Sequence, residues 1–183
     1  MLTDMRKNIK KDVENYLFKF VIVIISITTF GLNSCSKIET EPQQLSNDIK
    51  SISGGQSFGF CIGKCYRELT FMDNKMKLLV IERGNRGSNE ADKEYNFEEM
   101  LDAVDAQKIN SLLNIDSFKK LNDVYGCPDC ADGGSEWIEI VFANDTKKRV
   151  TFEFGNYPSE IKELATLIRE KRTTFYQKNF QSN

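Results

Sequence analysis

The chain has 183 residues, 40% of them hydrophobic and 28% charged, with five cysteines, no histidine and a formal net charge of −2. That length holds one ordinary globular domain, two at most. The missing histidine excludes Ser-His-Asp and Cys-His catalysis, His-ligated zinc and His-held haem. The charge balance leaves no basic excess to neutralise nucleic-acid phosphates, so no nucleic-acid partner is expected.

The first 34 residues read as an address. Arg6, Lys7, Lys10, Lys11 and Lys19 make a basic start, and an apolar run follows over 20–30. That run is shorter than the roughly 20 apolar residues a membrane span needs, and the layout is that of a secretory signal. Asp12 and Glu14 are unusual in a basic leader, whether translation starts at Met1 or at Met5. Leu32-Asn33-Ser34-Cys35 resembles the lipobox of bacterial lipoproteins, with Asn33 its loosest position. The resemblance implies that Cys35 becomes the lipidated first residue of the mature chain. The alternative is an uncleaved anchor helix with an incidental cysteine. One acyl chain binds a membrane only marginally, whereas the three implied here fix the protein to a bilayer. Ser36 stands where an inner-membrane retention signal has Asp, and resemblance to the Gram-negative sorting pattern implies the outer membrane, on its periplasmic face or at the cell surface.

Cleavage leaves 149 residues. The leader takes five basic and three acidic residues with it, so the mature net charge is −4. The lipidated cysteine and a polar stretch over 35–54 read as a flexible tether, with Pro42, Gln43, Gln44 and the Gly54-Gly55 step. A single domain is expected over 55–183.

Within it, 66–72 and 76–83 read as strands around a turn at Asp73-Asn74-Lys75. Residues 84–89 read as a polar loop, and 95–101 as a short strand. Asp105 is placed to cap a helix running to about Asn114, with Ala106, Ile109, Leu112 and Leu113 on one face. A second short helix starts at Asp116 or Ser117 and turns Phe118 and Leu121 inward. The clearest hairpin pairs Ile138, Ile140 and Phe142 with Val150, Phe152 and Phe154 across Asn144-Asp145-Thr146. The last helix begins near Pro158, with Ile161, Leu164, Ala165, Leu167, Ile168 and Phe175 as its stripe. The fold class is therefore α+β: a mostly antiparallel sheet of about four to five strands with helices on one face.

Four cysteines remain once Cys35 is set aside. They form two close pairs, Cys61 with Cys65 and Cys127 with Cys130. An oxidising compartment and an even count favour disulfides. Three pairings are open. Local pairs close tiny loops and contribute roughly 2 kcal/mol each, whereas crossed pairs close long ones and contribute roughly 4; sequence proximity favours the local form. A four-thiolate metal site is the second reading, though export exposes thiolates to oxidation. The third is a redox site at Cys127-Pro128-Asp129-Cys130. Such sites sit at a helix N-terminus, and here Gly133-Gly134 and a strand follow instead.

Asp129, Asp132 and Glu136 surround the second pair and are weak candidates for calcium, since their spacing does not match an EF-hand. Trp137 is a candidate binding aromatic, with packing the simpler role. Lys147-Lys148-Arg149 reads as a solvated hairpin end, and Glu98 and Glu99 diverge as adjacent residues do. There is no P-loop and no G-x-S-x-G. No catalytic residue, cofactor or resident metal is expected.

Ser57-Phe58-Gly59-Phe60-Cys61-Ile62-Gly63-Lys64-Cys65, followed by Cys127-Pro128-Asp129-Cys130-Ala131-Asp132-Gly133-Gly134 and Glu136-Trp137-Ile138-Glu139-Ile140, resembles an uncharacterised family of exported bacterial lipoproteins over about 57–176. The resemblance implies a small α+β domain on a lipid anchor and no catalytic chemistry. The expected function is a non-catalytic binding or structural module of the cell envelope. It would bind the membrane through Cys35 and an envelope protein or small ligand through its domain. The alternative is a thiol-disulfide or metal-dependent enzyme at the Cys127–Cys130 loop.

Overall fold

Seven strands form one sheet in the computed structural model, which describes residues 45–84 and 91–180. The leader, the lipobox with Cys35, the tether up to residue 44 and positions 85–89 of the expected polar loop lie outside the described residues. The described residues belong to one compact unit. None of their helices is long and apolar enough to cross a membrane.

The strands are β1 (Ile49–Ser57), β2 (Gly63–Met72), β3 (Lys75–Arg83), β4 (Lys93–Met100), β5 (Val124–Tyr125), β6 (Ser135–Phe142) and β7 (Lys147–Glu153). Their order across the sheet is β4-β3-β2-β1-β6-β7-β5. Every pairing is antiparallel except the short parallel contact of β5 with β7. The α+β class and the mostly antiparallel sheet agree with the sequence reading, but the sheet is larger than four to five strands. The two expected hairpins are β2–β3 and β6–β7. The first turns through Asp73 and Asn74, at φ 50° and 59°. Two left-handed residues make the turn type whose twist matches the flanking strands.

The polar stretch reads as a tether through Gly54 whose last few residues can already enter a first strand; the strand begins at Ile49 and lies in the middle of the sheet. Its small polar residues are buried by their neighbours. A Cβ on Gly54 would stand 2.5 Å from Ile168 Cγ2, and one on Gly55 would stand 2.1 Å from Trp137 Cζ2. Glycine in a strand marks such close approaches.

Register assigns the two faces. Ile52, Leu69, Leu78, Ile138 and Phe152 point to one side and are buried. The long helix α3 (Lys162–Phe180) covers that side. Its Leu164, Ala165, Leu167, Ile168 and Phe175 are buried, as its stripe predicts. Burying each such large apolar side chain contributes roughly 1.5–3 kcal/mol. Pro158 lies just before this helix, flanking a short 3-10 turn at Ser159–Ile161. Two shorter helices, α1 (Ala103–Leu112) and α2 (Ile115–Lys120), precede β5. Asp102, not Asp105, caps α1, its carboxylate accepting the Val104 N–H at 2.7 Å. Asn114 caps α2 by accepting the Ser117 N–H at 2.9 Å. Both starts fall a few residues before the expected ones, because an acidic or amide side chain outside the first turn takes the cap.

Candidate functional site

Antiparallel register gathers five chain segments at one end of the sheet. Ser57 closes β1 opposite Ser135, the first residue of β6, and Ser135 pairs with Glu153, the last pair-forming residue of β7. Gly63 opens β2 opposite Arg83 at the end of β3. The 58–62 connection and the 126–134 loop therefore meet at the same pole, although they are far apart in sequence.

Both cysteine pairs are local. Cys61 is bonded to Cys65, with Cα atoms 5.7 Å apart, and Cys127 to Cys130, with Cα atoms 5.5 Å apart. These spans fall within the bridging range. The two pairs differ in setting. Cys65 lies inside β2 at a register shift and is only 1% exposed, whereas Cys127 and Cys130 are both exposed.

The two loops are tied together. Asp129 Oδ1 accepts the Gly59 N–H at 3.0 Å. The Phe58 ring packs on Phe154 with centroids 4.9 Å apart, and Gly134 leaves room for it, since a Cβ there would meet Phe58 at 2.4 Å. Arg83 Nη1 donates to the carbonyls of Phe58 and Gly59 at 3.1 and 3.4 Å. Glu153 Oε1 accepts the Cys127 N–H at 2.7 Å, and its other oxygen accepts from the Asn156 amide at 3.0 Å. Those bonds, Asn156's first, hold the Glu153 carboxyl below its ordinary pKa, because they favour the charged form. At the tip, Phe60 and Ile62 are 74% and 67% exposed. Beside them a depression of about 360 Å³ is lined by Ile62, Glu82, Arg83 and Lys93, among others.

The remaining candidates scatter. Of the proposed calcium set, Asp129 is committed to Gly59 and Asp132 is exposed in the loop. Glu136 points to the other side of β6, into the core. Its Oε1 accepts from Arg172 Nη2 at 2.6 Å and its Oε2 accepts the Gly155 N–H at 3.0 Å. Arg172 also donates to Gln56 at 2.8 Å, and Arg169 stands 3.7 Å from Glu136. Glu136 and Arg172 are each 2% exposed. Burial lowers the Arg172 pKa, and the Glu136 carboxylate opposes that shift. The three acids thus do not converge. Among the described residues no cluster of three or more His, Cys, Asp or Glu could hold a metal ion. Sequence reasoning missed Arg172 and Gln56 altogether. The only local signal was an arginine on the apolar stripe of α3.

Trp137 lies on the helix-free face and is 4% exposed, so it packs rather than presents itself. Its ring covers Gly55, tilts against Tyr66 at 5.4 Å and lies 5.0 Å from the Arg149 guanidinium. The Tyr66 hydroxyl bonds to Glu68, and burial first, then that bond, raises its pKa. Lys148 is less solvated than its hairpin position suggests: its ammonium donates to the Leu121 carbonyl at 2.7 Å. Glu98 and Glu99 do diverge, pairing with Lys75 and Lys178 respectively.

At the Cys127–Cys130 pair no regular helix follows. A 3-10 turn over Cys130–Asp132 leads into β6. The arrangement can present a rigid, cross-linked tip with exposed apolar side chains. It offers no helix N-terminus to stabilise a thiolate.

Fold and site together define a small, disulfide-bonded α+β domain whose two cross-linked loops share one pole. Comparison with protein-family models, with curated proteins and with solved structures finds no match.

Proposed function

We propose that this chain is a lipid-anchored protein of the bacterial cell envelope, held at the outer membrane through Cys35, with a non-catalytic binding module as its folded part. The observation that carries the reading is the shared pole, where two disulfides fix loops whose Phe60 and Ile62 stand exposed. Disulfides persist in oxidising compartments, which supports export. The lipobox-like Leu32-Asn33-Ser34-Cys35 supports the anchor. Exposed large apolar side chains on a rigid scaffold support binding, because such residues supply contact area at small entropic cost.

Two experiments test it. Cys35→Ala abolishes labelling by palmitate and releases the protein from membranes; continued acylation of that variant contradicts the anchor. A photocrosslinking residue at position 60 captures a discrete envelope component in intact cells, while one at exposed Val104 does not. Equal capture from both positions, or none from either, contradicts the binding pole.

A further inference from the structure

We propose that the Cys127–Cys130 disulfide is a redox latch: a dithiol reductant opens it while Cys61–Cys65 stays closed, and its opening detaches the 126–134 loop from the 58–62 loop. The inference goes beyond the binding reading and stands on loop geometry, so it survives or fails independently of any partner.

Access distinguishes the two bonds. Both sulfur-bearing residues of the 127–130 ring are exposed, whereas Cys61 is half-buried and Cys65 is buried within β2. Thiol–disulfide exchange needs a thiolate to reach a sulfur, so the exposed ring reacts first.

Ring closure also sets the backbone. Asp129, Ala131 and Asp132 all adopt left-handed conformations, at φ 61°, 49° and 62°. That region is unfavourable for L-residues, and Ala131 has no polar side chain to bond back. Gly126 and the residues from Asp129 to Gly133 are exposed, so buried apolar contacts do little to pin this path. At Asp129, inside the ring, the cross-link does so instead, together with the Cys130 N–H to Cys127 carbonyl bond at 3.1 Å and the Asp129 N–H to Gly134 carbonyl bond at 3.0 Å, while the Gly133 N–H to Cys130 carbonyl bond at 3.0 Å spans Ala131 and Asp132. Asp129 lies inside the ring. Its aim at the Gly59 amide therefore depends on the ring being closed.

The step balances. One thiolate of the dithiol attacks a ring sulfur, the S–S bond breaks, and the departing cysteine takes up a proton. The second thiol of the reductant then attacks the mixed disulfide and releases the other cysteine. Two electrons and two protons pass to Cys127 and Cys130, and the dithiol becomes a disulfide.

The test uses the full-length protein in graded dithiothreitol. Differential alkylation reads each pair, and hydrogen exchange reads the Gly59 amide. We expect Cys127 and Cys130 to become alkylated at about tenfold less reductant than Cys61 and Cys65, with Gly59 exchange about tenfold faster at that point. Simultaneous reduction of both pairs overturns the proposal, as does earlier reduction of Cys61–Cys65. So does unchanged Gly59 exchange once the ring is open. The double variant Cys127→Ser, Cys130→Ser provides the second arm. It should show the fast Gly59 exchange with no reductant present, and wild-type exchange in that variant contradicts the latch.

Discussion

The carboxylate of Asp129 accepts the amide hydrogen of Gly59 at 3.0 Å, across seventy residues of sequence. That bond joins the disulfide ring of Cys127–Cys130 to the segment that leads into Cys61. Asp129 reaches it from a left-handed backbone conformation that asparagine adopts more readily than alanine. Asp129→Ala should therefore lower stability by about 1 kcal/mol, the net worth of a typical hydrogen bond. It should also speed exchange at Gly59. Asp129→Asn should keep most of both. Chemical denaturation with exchange mass spectrometry checks this, and equal behaviour of the two variants would count against the bond as the tie between the loops.

Gly55→Ala should be costly although the change is one methyl group. Its Cβ would stand 2.1 Å from the Trp137 ring, which must then move. Overpacking of this kind costs about 1–3 kcal/mol. The chain has a single tryptophan, so its emission reports the displacement directly. A variant with unchanged emission and unchanged urea midpoint would show that β1 is not packed as described.

The pair Glu136 and Arg172 should behave as a unit. Removing one partner strands a buried charge and costs about 3–5 kcal/mol, whereas apolar replacement of both is far milder. Arg172→Met alone should thus destabilise more than Glu136→Leu and Arg172→Met together. A double-mutant cycle measures the coupling, and simple additivity of the two single changes would refute it.

Much of this architecture is legible in the sequence, and the failures share one cause. Both hairpins, the stripe of α3 and the local cysteine pairs follow from alternation, spacing and turn chemistry, all of which are short-range. The strand at Ile49–Ser57 does not, because its burial comes from Trp137 and Ile168, far along the chain. A Ser-Gly-Gly-Gln run read alone is a linker; read with its neighbours it is the floor of a sheet. β5 has only two residues and pairs in parallel, so it offers no periodicity to detect. The meeting of the two cysteine loops follows from the β1–β6 register, which no local pattern encodes. Glu136 sits beside a cysteine pair in sequence but faces Arg172 in space, which dissolves the acidic cluster suggested by spacing.

Acid should loosen the 126–134 loop as Glu153 takes up a proton. The folded pKa of Glu153 lies below the ordinary glutamate value of 4.5, because the Asn156 amide and the Cys127 N–H stabilise its charge. A depressed folded pKa means that the folded state binds fewer protons. The stabilisation is present above the ordinary value and is lost as pH falls through the lower folded one. The Cys127 amide resonance, followed from about pH 6 to about pH 3, should shift with that titration. Glu153→Gln should remove the transition. Persistence of the same acid limb in that variant would assign it to another group.

The proposed function joins a lipid anchor at Cys35 to a domain closed by two disulfides. The intact mass of the mature protein, purified from membranes without reductant, tests both halves at once. The expected species is a chain beginning at Cys35, carrying a diacylglycerol and an N-acyl group, and lacking the four thiol hydrogens of Cys61, Cys65, Cys127 and Cys130. A chain that begins at Met1 or Met5, an unmodified Cys35 or a full complement of thiol hydrogens would contradict it.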